Sequence, residues 1–105
     1  LREIRRILRK GGALISTFPF AAFSEKGNVK ARWSNGVIDY LDEPEYHGDP
    51  INETGALVYE IPGWDILETS RREGFSRASM TYVLSEQRGI LAPHFGGIFA
   101  LVAER

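Results

Sequence analysis

Four apolar residues open the chain at helical spacing: Leu1, Ile4, Ile7 and Leu8. Recurrence at three and four residues puts them on one stripe of a helix, with arginines over the remaining surface. Gly11-Gly12 supplies the stop, because glycine enters the left-handed region cheaply. Arg9 and Lys10 are then predicted in the last turn, where cations suit the negative end of the helix dipole. Residues 13–18, Ala-Leu-Ile-Ser-Thr-Phe, predict a buried strand of a parallel sheet that Pro19 ends. A second helix is predicted over 64–73, with Gly63 as its N-cap, Asp65 in its first turn, and Glu68 and Arg72 as an i,i+4 pair. Gly74 stops it, and Phe75 folds back over the last turn in the manner of a Schellman end. Ala78, Met80, Tyr82 and Leu84 alternate with Ser79, Thr81 and Val83, which predicts a half-buried strand at or near a sheet edge. Residues 98–103 are apolar throughout and predict a central strand covered on both faces.

Between these elements, residues 20–60 lose the period. Trp33, Tyr40, Tyr46 and Tyr59 are spread among Gly27, Asn35-Gly36, Pro44, Gly48, Pro50 and Gly55. Asn35-Gly36 predicts a tight hairpin with strands at 31–34 and 37–41. A structureless loop of that length is unusual in so small a chain, so local strands or turns and a functional reason for the length are expected. Residues 85–97 form a second connection.

Composition narrows the functional classes. At 105 residues the chain is one domain or less. The absence of cysteine excludes disulfides, thiolate metal sites and a cysteine nucleophile, and fits a cytoplasmic location. No apolar run approaches the ~20 residues of a membrane span. The net charge of −1 hides a pattern. Arg2, Arg5, Arg6, Arg9 and Lys10 crowd the start, whereas no Lys or Arg lies between Arg32 and Arg71. That window holds Asp39, Asp42, Glu43, Glu45, Asp49, Glu53, Glu60, Asp65 and Glu68, which would repel a phosphate backbone. Nucleic acid is therefore not an expected partner, and neither is a membrane.

The order of elements, and several short motifs, resemble the C-terminal half of class I S-adenosylmethionine-dependent methyltransferases. Leu8-Arg9-Lys10-Gly11-Gly12 is similar to the family's L-[RK]-P-G-G, with Lys10 where proline is usual. Ser16-Thr17 and Pro19-Phe20 resemble the end of its fifth strand. Trp64-Asp65-Ile66-Leu67, with Arg72-Glu73-Gly74-Phe75, resembles its following helix and turn. Glu45-Tyr46-His47-Gly48-Asp49-Pro50 resembles a motif in the insert of some members. The resemblance implies an α/β fold: the last three strands of a Rossmann-like sheet, the final one antiparallel between the other two, with two helices and a loop or hairpin insert at about 20–60. It implies a single partial domain over residues 1–105 whose parent uses S-adenosylmethionine on a small-molecule acceptor. The family's Gly-rich turn after a first strand does not occur here, and Gly96-Gly97 precedes a strand instead. No cofactor is therefore expected on this chain alone, and the fragment is expected to be inactive by itself.

Candidate chemistry centres on the insert. His47 sits among Glu45, Tyr46 and Asp49, and a histidine near neutral pKa suits a general base in O-methylation. The alternative is a loop histidine whose ring nitrogens satisfy turn carbonyls. Thr17 lies at a strand's carboxyl end, where open α/β sheets bind ligands. With Phe20, Trp33, Tyr46 and His47 it makes the candidate substrate-binding set. The aromatics Trp33, Tyr40, Tyr46 and Trp64 either line a ligand surface or pack a long loop. His94 lies in the connection before the last strand, where a structural role suffices. The carboxylates lack fixed metal-ligand spacing, and no metal is expected. A second functional class stays open: a stand-alone module that holds a ligand or partner with the aromatic, acidic insert. A third feature follows from the partial sheet, since residues 13–18 would present a free apolar edge that invites homodimer formation.

Overall fold

The computed structural model describes residues 1–49, 52–92 and 96–105. The chain divides into two compact units, Leu1–Pro19 with Asp65–Arg105, and Phe20–Trp64. The predicted insert at 20–60 corresponds to the second unit. The fold is mixed α/β with small antiparallel sheets and, among the described residues, two α-helices. Neither helix is long and apolar enough to cross a membrane.

The first unit contains helix α1 (Arg2–Ile7), strand β1 (Ala13–Ser16), helix α2 (Ile66–Arg72), and strands β8 (Arg77–Val83) and β9 (Ile98–Glu104). Its sheet has the order β1-β9-β8, with β9 antiparallel to both neighbours. The last strand is thus central and β8 lies at an edge, as the alternation in β8 and the apolar run in β9 predict. Pairing of Leu14 with Ala103, and of Ala78 with Ala103, puts Leu14, Ala78, Met80, Leu101 and Ala103 on one face. Phe75, Leu101 and Ala103 are buried there, packed against Leu1, Leu8, Ile66 and Leu67. Burial of side chains like Phe75 and Leu101 contributes roughly 1.5–3 kcal/mol each, so this cluster is the principal apolar support of the unit.

Several expectations for this unit are corrected. The segment 13–18 is not a buried strand. It is a shorter strand, antiparallel to β9 as the expected place of the last strand requires, and Ile15 on its second face is 73% exposed. In β9 the helix-side residues Leu101 and Ala103 are buried, and Ala100 on the other face is buried as well. Helix α1 ends at Ile7, before the glycines, because Leu8 turns to extended backbone (ψ 140°) and packs into the core. Arg5 and Arg6 are the cations of its last turn rather than Arg9 or Lys10, and the Arg105 guanidinium donates to the carbonyls of Arg6 and Leu8.

Helix α2 is shorter than 64–73 at both ends, and Asp65 rather than Gly63 occupies the N-cap position. Arg72 donates to Thr69 Oγ1 at 3.3 Å, so the predicted pair with Glu68 is replaced by a contact one residue closer. Its C-terminus is as predicted. Gly74 has φ 91°, its N–H donates to Arg71 O, and the Phe75 N–H donates to Ser70 O, the paired bonds of a Schellman motif. The connection 85–97 carries a 3-10 turn at Glu86–Arg88. His94 lies outside the described residues.

The second unit consists of three two-stranded antiparallel ladders. Strand β2 (Asn28–Val29) pairs with β7 (Glu60–Ile61), β3 (Ala31–Ser34) with β4 (Val37–Tyr40), and β5 (Tyr46–Asp49) with β6 (Asn52–Leu57). Asn35 (φ 51°) and Gly36 (φ 82°) make the predicted tight turn between β3 and β4. The two ends of the unit are tied together. The Trp64 indole N–H donates to Ala22 O at 2.8 Å, its backbone N–H donates to Ser24 O, and its ring meets Phe20 edge to face at 5.1 Å. Few residues here are buried; Ala31, Val58 and Gly63 are the exceptions among those described.

Candidate functional site

The insert is organised by Lys30. Its ammonium group lies 3.2 Å from Glu45 Oε2 and 3.5 Å from Asp42 Oδ2. The Lys30 side chain is only 13% exposed, whereas both carboxylates are about half exposed. Asp42 is further fixed by the Asn28 amide at 3.0 Å and the Glu43 backbone N–H at 2.8 Å. The hydrogen bond from Asn28, then that from Glu43, then the charge of Lys30 hold the Asp42 carboxyl below its ordinary value. The hydrogen bond to Glu45 is the largest influence raising Lys30, opposed by partial desolvation. Backbone bonds complete the hub: Lys30 N–H donates to Tyr59 O, and Leu41 N–H donates to Lys30 O. One side chain thus draws the segment 42–45 against the β2–β3 junction.

This hub sets the position of three tyrosines. Tyr40 ends β4, Tyr46 opens β5, and Tyr59 lies between β6 and β7. Tyr40 shares a side-chain hydrogen bond with Tyr46, and Tyr59 lies close enough to act on the same phenol. The bond to Tyr46 is the main cause that raises the Tyr40 phenol above its ordinary value, so it stays protonated at neutral pH. Trp33 shares the Tyr40 side of the β3–β4 hairpin. It stands opposite Ile38, and Tyr40 stands opposite Ala31, two residues along on the same face. Trp33 is 64% exposed, and the three tyrosines are exposed as well.

The predicted site residues divide between these features. Trp33 and Tyr46 belong to the aromatic surface. His47 is exposed on β5, opposite Ala56, while Tyr46 stands opposite Leu57. Successive strand side chains leave opposite faces, so His47 and Tyr46 point to different sides of their hairpin. Phe20 is half-buried against Trp64, at the base of the insert. Thr17 is exposed in the other unit, just beyond β1. Tyr59 and Lys30 were not among the expected site residues. Lys30 and Arg32 are the last cations before the acidic window, a signal that one of them pairs with its carboxylates, but spacing does not choose between them. Among the described residues, no three His, Cys, Asp or Glu side chains converge as a metal-ligand set.

No protein-family model matches the chain, and neither does a curated protein or a solved structure.

Proposed function

We propose that these residues form the C-terminal part of a class I methyltransferase domain, with Phe20–Trp64 as the insert on the acceptor side. The observation that supports this reading is the strand order β1-β9-β8, in which the last strand lies antiparallel between two strands that run parallel to each other. The insert leaves the chain directly after the first of them, where open α/β sheets place their ligands. In this reading the sheet is one end of a Rossmann-like sheet, the acceptor is a small molecule, and His47 is the candidate base. The parent acts in the cytoplasm, in keeping with a chain without cysteine.

The residues present do not fit S-adenosylmethionine. The strand-to-helix connection from β7 to α2 holds one glycine, Gly63, and a Cβ there would stand 2.6 Å from Lys26 C and 2.7 Å from Ser24 O. The backbone fills the space that a ligand-cradling turn leaves open. Gly11-Gly12 and Gly96-Gly97 each lead into a strand. The cofactor would be held by the preceding half of the parent domain.

A second reading has its own support: the insert forms a compact unit with exposed aromatics and would serve a stand-alone binding module. The edge of β1, unpaired among the described residues, would then pair with a second copy. Sequencing about 130 codons upstream of Leu1 separates the two. A strand followed by an acidic Gly-x-Gly turn and an acid ~20 residues on supports the methyltransferase reading. A start codon close to Leu1 overturns it, and light scattering that shows only monomer at high concentration overturns the β1 dimer.

A further inference from the structure

We propose that the surface formed by Trp33, Tyr40, Tyr46 and Tyr59 binds an organic ammonium group. The proposal deepens both readings of the insert by naming a ligand class, and it stands on the insert alone. Aromatic faces carry the negative part of the ring quadrupole, and tryptophan is the strongest such partner for a cation. Diagonal neighbours on one face of a hairpin lie ~7–8 Å apart, within mutual reach of rings the size of Trp33 and Tyr40. Tyr40 shares a side-chain hydrogen bond with Tyr46, and Tyr59 lies near the same phenol.

The net charge of the unit that carries these rings favours a cation. The unit Phe20–Trp64 carries eight carboxylates against three basic residues, a net charge of −5. Two of the three basic residues are held away from the Trp33 face. Lys30 is held by Asp42 and Glu45. Arg32 pairs in register with Asp39 and leaves the opposite face of the hairpin from Trp33. Lys26 lies outside the three ladders. An anion would meet the repulsion of the acidic unit, and a neutral ligand would gain ring contact without the electrostatic attraction.

The test is NMR titration of the full chain with choline and with its uncharged tert-butyl analogue, in which carbon replaces nitrogen. Choline is expected to shift the Trp33 indole and the tyrosine ring resonances saturably, and the neutral analogue to bind about tenfold more weakly. Equal affinity for the two, or no ring shift with choline, overturns the proposal. Trp33→Ala, checked for retained circular dichroism, is expected to weaken choline binding about fivefold. If that variant unfolds the hairpin, Trp33→Leu keeps apolar bulk without a π face and carries the same expectation. Unchanged affinity in the folded variant also overturns the proposal. Because S-adenosylmethionine is absent from the titration, failure here leaves the methyltransferase reading to its own test.

Discussion

The two units of this small chain solve the same problem by different means. The unit built on β1, α2, β8 and β9 gathers Phe75, Leu101 and Ala103 into an apolar cluster and carries ten basic against six acidic residues. The unit Phe20–Trp64 has three short ladders, few buried side chains and a net charge of −5. Strands of two to six residues cannot bury enough apolar area to offset chain entropy by themselves. That unit depends instead on a two-residue turn, a tryptophan that ties its ends, and a shielded lysine between two carboxylates. The first unit should therefore fail when its core is emptied, and the second when its charges or turns are altered.

The largest effect is expected from Phe75→Ala. It removes a ring packed against both helix and sheet and should cost about 3–5 kcal/mol, measured by urea denaturation followed at the helix signal. A loss under about 1 kcal/mol would mean that the cluster is not the main support of its unit. Gly36→Ala should be milder. It forces an alanine to φ 82°, at about 1–2 kcal/mol, read from urea denaturation monitored by Trp33 fluorescence. No change would show that the hairpin does not depend on its turn.

Lys30→Met keeps the stem and leaves Asp42 and Glu45 without their shared cation. A fall of a few degrees in the melting midpoint is expected, with broadened Tyr40 and Tyr46 resonances; sharp, unshifted tyrosine signals would refute the organising role of Lys30. The smallest effect is the pH dependence. Asp42 titrates below its ordinary 3.8 in the folded chain, so its contribution is present above that value and is lost as pH falls through the lowered one. Lys30 titrates above its ordinary 10.5, so its contribution is present below that value and is lost as pH rises through the raised one. Urea denaturation repeated across pH should show both losses. In Lys30→Met the acid loss should move up toward 3.8, and an unmoved acid loss would show that Lys30 does not act on Asp42.

How much of this was legible depends on the range of the interaction. The Schellman end at Gly74-Phe75, the Asn35-Gly36 turn and the alternation of β8 are nearest-neighbour features, set by backbone preference and a two-residue period. The sequence by itself also determined that the insert is acidic and aromatic. Where α1 ends was decided by the packing of Leu8 against Phe75, Leu101 and Ala103, which lie far along the chain and which no local spacing announces. Exposure of Ile15 was decided by which face of the three-stranded sheet the helices cover. A period of two marks two faces without saying which one is inside. The choice of Lys30 over Arg32 as the partner of Asp42 and Glu45 follows from strand register. Register depends on pairing between distant segments, and only the tertiary structure decided it.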